Sequence, residues 1–277
     1  MTRARLLALP GLLWLTLFLV VPCAIVLTYS FFLRGIYGGI EWTFTFENYV
    51  RAVDPLYLGI IARSARVAAT ASLIALLIAF PAAYAIARQP LQRQTPLLFL
   101  IMLPFWSNYL IRTYAWIVLL NREGLINQGL SGVGLTSEPI NLLYNEFAVV
   151  LGLVYNYVPF VILAIYASLQ RLDPALTEAS EDLGASRWAT FRHIILPLTV
   201  PGIAAGAVFV FVLSIGNFIT PDLLGGGKVT MVGNLIYQQF LSARDWPFGA
   251  AFSVVLMAVM LALLFAQAVI ANRRRMA

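Results

Sequence analysis

The chain has 277 residues, 61% of them hydrophobic and only 11% charged, with 18 Lys and Arg set against 12 Asp and Glu for a net charge of +6. That composition excludes an ordinary soluble domain, because the apolar residues come in blocks of the ~20 that a helix needs to cross a bilayer. No run of basic residues with interleaved aromatics occurs, so nucleic acid is excluded as a partner and the excess positive charge points to membrane topology instead.

In chain order, Thr2-Arg3-Ala4-Arg5 precedes an apolar stretch over residues 6–32. It is longer than the ~7–15 residues of a signal-peptide core and has no small-x-small cleavage site, so it reads as a retained first span. Cys23 within it is the chain's single cysteine, which excludes an internal disulfide and a Cys-based metal site. Val20-Val21-Pro22-Cys23 is a poor lipoprotein box, because proline precedes the cysteine. Residues 34–59 form a polar loop with Trp42, Phe44, Phe46, Tyr49 and Tyr57, aromatics suited to a membrane interface. The second span is expected over 64–87, a short loop over 88–95 and the third span over 96–120. A glycine-rich polar loop covers 121–146, and the fourth span 147–169. The fifth is expected over 200–221, bent near Pro201-Gly202, then a polar loop over 222–246, and the sixth span over 247–270 closing on Arg273-Arg274-Arg275. The expectation is an all-α polytopic membrane protein with six transmembrane helices, forming one domain over 1–277.

Six spans place both termini on one side. That side holds Arg3, Arg5, Arg88, Arg93, Arg171, Arg187, Arg192 and Arg273 to Arg275, against Asp173, Glu178, Glu181 and Asp182. The other side has fewer bases and more acids, so the positive-inside tendency makes the termini cytoplasmic.

Between spans four and five lies the most polar long segment, residues 171–197. Asp173 is a good N-cap and Pro174 a good first helical residue, since proline lacks the amide hydrogen that would be orphaned there. Glu178, Glu181 and Asp182 crowd one short helix, and Gly184 supplies the left-handed residue that ends it. Ser186 caps a second helix, in which Trp188, Phe191, Ile194 and Ile195 recur at helical spacing until Pro197 interrupts it. The result is a cytoplasmic helix-turn-helix presenting a short acidic helix.

Catalytic and metal chemistry is not legible. His193 is the only histidine, so neither a His-based triad nor a multi-His metal site can be built. Gly225-Gly226-Gly227-Lys228 is not a phosphate loop: Val229 stands where Ser or Thr is needed and Asp222 where the first glycine belongs. Any use of ATP and Mg therefore falls to another subunit. The polar residues within the spans are candidates for a solute path: Trp106, Asn108, Tyr109 and Arg112 in span three, Tyr155, Asn156 and Tyr157 in span four, Ser214 and Asn217 in span five, and Asp222 at its outer end. An ionisable residue such as Arg112 usually faces a bundle interior or a water-filled path. Pairing with a carbonyl or with Glu123 is the structural alternative of equal weight; the other polar residues in spans more often join helices to one another, and Asp222 is more often a solvated loop carboxylate.

The 171–197 segment resembles the EAA loop of ABC-type importer permeases, the membrane subunits of binding-protein-dependent uptake systems. The family pattern is Glu-Ala-Ala, then Gly, nine residues and Ile-x-Leu-Pro. Glu178, Ala179, Gly184, Ile194, Leu196 and Pro197 fall on it, with Ser180 in place of the second Ala. Phe46-Glu47-Asn48-Tyr49, residues 104–116, 216–226 and 244–251 are similar to the first of the two permease types of spermidine/putrescine importers, so the likeness covers nearly the whole chain. The resemblance implies alternating access in the bacterial inner membrane, with a second homologous permease, two ATPase subunits and a periplasmic binding protein. It implies that Glu178, Ala179, Ser180, Glu181, Asp182 and Gly184, with Leu196 and Pro197 behind them, couple to the ATPase. Relatives carry other small organic solutes or ferric iron. A secondary transporter or a membrane enzyme is the reading from a different class; the first calls for intramembrane acids and the second for clustered His or carboxylates, and neither is found.

Overall fold

The computed structural model describes residues 10–276, with side chains to residue 269. Arg3, Arg5 and the side chains of Arg273 to Arg275, used above for topology, lie outside the described residues. Among the described residues, five helices are long and apolar enough to cross a membrane, and a sixth candidate is a helix pair bent by 85°. The chain divides into two compact units, one formed by residues to Ile61 with Gly233–Ala262, the other by Ala62–Val232 with residues from Leu263 onward.

In the first unit, α1 (Pro10–Tyr29) carries a widened turn at Thr16–Val20, where the Val21 amide bonds to Thr16 rather than one residue nearer. The reason is Pro22, which lacks an N–H and would crowd the carbonyl four residues back. The expected polar loop is partly ordered. It contains a two-stranded antiparallel hairpin, β1 (Phe32–Arg34) and β2 (Ile40–Phe44), and α2 (Glu47–Ala52). Buried Asn48 fastens α2 to the hairpin by donating to the carbonyls of Ser30 and Phe32 at 3.1 and 2.8 Å. Arg34 donates to the Ala243 carbonyl, and Arg51 meets buried Asp245 at 3.1 Å while lying over the Phe248 ring.

The second unit is built on α3 (Pro55–Ala87), which begins well before residue 64 and belongs to this unit from Ala62, and on α7 (Glu146–Leu169). Ala75, Ala79 and Ala83 recur on one buried face of α3 and pack with Val161, Ile162 and Ile165 of α7. Small residues let helix backbones approach where lipid supplies no hydrophobic drive to associate. The expected third span is not one helix. It comprises α4 (Leu91–Met102), a tight turn at Leu103–Trp106, extended backbone at Ser107 and Asn108, and α5 (Tyr109–Leu120), after which α6 (Leu125–Gly132) follows.

After α7 come α8 (Pro174–Asp182) and α9 (Arg187–Gly216). Pro197 does not interrupt α9. A second widened turn at Phe191–Ile195, closed by the Leu196 amide on Phe191, accommodates the proline as at Pro22, and the helix continues. A Cβ on Gly202 would stand 2.8 Å from the Ala164 carbonyl oxygen, and one on Gly206 2.9 Å from Val161 Cγ1, so these two glycines set the close approach of α9 to α7. The fifth span ends at Gly216 rather than near 221. It is followed by α10 (Ile219–Gly225), α11 (Val232–Leu241) and α12 (Trp246–Met276).

Candidate functional site

Two regions of the second unit gather the residues singled out in the sequence. The first is α8 with its flanking turns. Asp173 Oδ1 accepts from the Ala175 amide at 3.0 Å and Pro174 opens the helix, which satisfies one orphan donor and removes another. At the far end the Gly184 amide reaches the Glu181 carbonyl at 2.9 Å and the Ala185 amide the Ser180 carbonyl at 3.1 Å, with Gly184 at φ +77°. This pair of bonds is a Schellman stop, which needs a left-handed residue at that point. Ser186 Oγ then accepts from the Ala189 amide at 3.2 Å and starts α9.

Ser180, the departure from the family pattern, is buried, and its hydroxyl bonds to that of Thr190 at 2.9 Å. Thr190 also donates to the Ser186 carbonyl, so Ser180 is the donor of the pair. That bond fixes the angle between α8 and α9. Glu178, Ala179, Glu181 and Asp182 are exposed, and no ion pair among the described residues uses the three acids. Leu183 and Trp188 are 88% and 67% exposed beside them. Such an apolar and acidic face, held by caps at both ends, is suited to a basic groove on another protein. Leu196 is half-buried and Pro197 exposed, directly after the Phe191–Ile195 bulge.

The second region forms where two helix breaks meet. Asn108 Oδ1 caps α5 by accepting from the Leu110 amide, and Tyr109 follows at the first helical position. Asn217 occupies the break between α9 and α10, where its Oδ1 accepts from the Thr220 amide at 2.9 Å. Its Nδ2 donates to the hydroxyls of Tyr109 at 2.7 Å and Tyr157 at 2.9 Å. Tyr109 also bonds to Thr220 Oγ1, and Tyr157 donates to the Leu213 carbonyl at 3.3 Å. Tyr109, Tyr157 and Asn217 line an open recess of about 380 Å³. Half-helix ends and non-helical backbone at membrane depth are tolerated where they line a cavity, and solute sites are built from them.

The remaining candidates are spread out. Arg112 lies with its guanidinium 4.2 Å from the Phe105 ring centre, and its buried Nε and Nη1 have no hydrogen-bond partner among the described residues. Glu123 forms no ion pair with it. Tyr155 packs against Phe105 and Trp116 near that cation. Asn156 and Ser214 are buried, away from open space; the Asn156 amide donates to the Gly152 carbonyl at 2.8 Å. Trp106 is exposed against Phe99, and Asp222 is exposed in the first turn of α10.

Thr220 was not singled out from the sequence. Its signal was the spacing Asn217-x-x-Thr220 after Gly216, a helix start within an apparent span.

A comparison with known proteins fits this arrangement. The family model described as "Binding-protein-dependent transport system inner membrane component" matches residues 5–276. The spermidine/putrescine transport system permease protein PotB of Escherichia coli (strain K12) is 42% identical over 247 residues, 89% of this chain and 90% of that protein. PotB of Haemophilus influenzae is 42% identical over 252 residues, 91% of this chain and 88% of that protein. Among solved structures, a bacterial alginate ABC transporter in complex with an alginate pentasaccharide-bound periplasmic protein gives a TM-score of 0.80 at 18% identity. It covers 98% of this chain and 94% of that one, a likeness of fold. The chain therefore belongs to the family of binding-protein-dependent transport system inner membrane components.

Proposed function

We propose that this chain is the permease subunit of an ATP-driven importer that receives spermidine, putrescine or a closely related polyamine from a periplasmic binding protein. It pairs with a second, homologous permease and two ATPase subunits in the bacterial inner membrane, and both of its termini are cytoplasmic. ATP and Mg are bound by the ATPases, and this chain binds no cofactor. Glu178, Glu181 and Asp182 of α8 meet basic residues of an ATPase groove, and closure of the ATPases rocks α8 with α7 and α9 between inward- and outward-facing arrangements. The observation that carries this reading is the capped, exposed α8, whose acids have no ion-pair partner among the described residues. The relationship to the PotB permeases supports the polyamine.

The recess at Tyr109, Tyr157 and Asn217 is neutral and mostly apolar, with tyrosine rings that hold an amine weakly. Weak holding suits release, so selection of the cation falls to the binding protein, and Arg112 discourages a cation from lingering nearby. The test is ATP hydrolysis by the purified complex in nanodiscs with its binding protein. Stimulation by spermidine or putrescine is expected. Stimulation by an unrelated solute alone would discard the polyamine, and absence of any co-purifying ATPase would discard the importer.

A further inference from the structure

Gln94, in the first turn of α4, is 5% exposed and uses every hydrogen-bonding position of its amide. Its Nε2 donates to the carbonyls of Ala87, at 3.2 Å, and Gln89, at 2.7 Å, where α3 ends. Its Oε1 accepts from the Tyr166 hydroxyl at 2.6 Å and from Gln170 Nε2 at 2.7 Å, on the last turn and cap of α7. An amide offers two donors and two acceptor lone pairs, so this side chain is saturated and ties three segments together. Around it, Leu98 and Ile101 of α4 pack among the Ile162 and Ile165 cluster. Apolar contacts of that kind permit sliding, whereas directional bonds at a buried amide select one register, as buried polar residues do in helical bundles.

The clasp stands between the two regions described above. α7 runs through Gln170–Asp173 straight into α8, so displacement of α8 bears on Tyr166 and Gln170. α4 runs from Gln94 to the break at Ser107 and Asn108, beyond which Tyr109 joins the recess. We infer that Gln94 is a positioning residue that carries displacement of α8 into the broken helix pair, so that ATP-driven movement and rearrangement of the recess occur as one step. The inference rests on the coupling role proposed for α8.

The test compares Gln94→Leu, Tyr166→Phe and the double variant in the complete complex with its binding protein, reconstituted in proteoliposomes. Uptake and ATP hydrolysis are measured together. Gln94→Leu is expected to keep hydrolysis but to lower uptake per ATP by about tenfold, within the range of couplings carried by a few hydrogen bonds. Tyr166→Phe, which removes one bond and leaves the hold on α3 intact, is expected to give a smaller drop. The double variant is expected to be no worse than Gln94→Leu, because the two groups act through one contact. Uptake per ATP within twofold of the wild type, or an equal fall in uptake and hydrolysis, would overturn the inference. If Gln94→Leu fails to assemble, Tyr166→Phe decides by the same criterion. Gly184→Val is run alongside: if it too leaves uptake per ATP unchanged, the role of α8 fails, whereas loss there with no effect at Gln94 sinks the clasp alone.

Discussion

Asn217 shows how one side chain can set a local structure and a site at once. Its carbonyl oxygen caps α10 through the Thr220 amide, and its amide nitrogen is shared between Tyr109 and Tyr157, so one residue starts a helix and orients two rings. Asn217→Ala removes the cap, worth about 1 kcal/mol, and two bonds of about 1 kcal/mol each. Tyr157→Phe removes a hydroxyl only. Uptake by cells carrying Asn217→Ala is expected to fall by about tenfold with assembly of the complex retained, a decade (about 1.4 kcal/mol) being roughly half of the ~3 kcal/mol removed and the rest being lost from stability. Tyr157→Phe is expected to lose less than half as much on a logarithmic scale. Unchanged uptake in both would make the recess a joint between helices and nothing more. Asn217 and Tyr109 were legible in the sequence because polar groups are conspicuous in apolar runs. Their meeting was not, because α5 and α10 come together only after two helices break.

At the scale of elements, α8 was read almost to the residue and the third span was not. The ends of α8 are written in local chemistry: Asp173, Pro174 and Gly184 act on their immediate neighbours, so spacing alone places them. The break at Ser107 and Asn108 has local signals too, Pro104 in the tight turn and the Asn108 cap on Leu110, but an average of hydropathy over a window smooths them away. Pro197 misled for the opposite reason, since a widened turn absorbs it at the cost of a local irregularity rather than the helix.

Gly184 yields a sharp prediction at this scale. A Cβ there would meet nothing within 4 Å, so any effect of substitution comes from the backbone at φ +77° and not from crowding. Asn tolerates the left-handed region, while a β-branched residue resists it by at least the ~1–2 kcal/mol typical of L residues. Gly184→Asn is therefore expected to keep uptake near the wild type, and Gly184→Val to uncouple it while the complex still hydrolyses ATP. Equal losses from both would show that the position is sensitive to side-chain bulk, contrary to the empty space around it.

For the whole molecule, the bent pair α4–α5 decides how the chain crosses the membrane. If that pair crosses as one span, there are six crossings with both termini on one side, and the hairpin after α1 lies on the other face from α8, which follows the fourth crossing. If the pair enters and leaves by the same face, there are five crossings and α8 falls on the hairpin's side, where no ATPase could reach it. The arginines at 88, 93, 171, 187 and 192 favour the six-crossing arrangement. Cysteine labelling separates the two. Cys23 is the only native thiol, and it lies in an apolar groove beside Val26 and Met257, so Cys23→Ala gives a silent background at little cost. On that background Ile36→Cys, at a hairpin tip that is 91% exposed, is expected to react with a membrane-impermeant maleimide added to spheroplasts. Arg171→Cys, exposed in the turn before α8 and outside the face assigned to the ATPase, is expected to react only after lysis. Reaction of both in intact spheroplasts would mean that the α4–α5 pair is re-entrant, and the coupling role of α8 would fall with it.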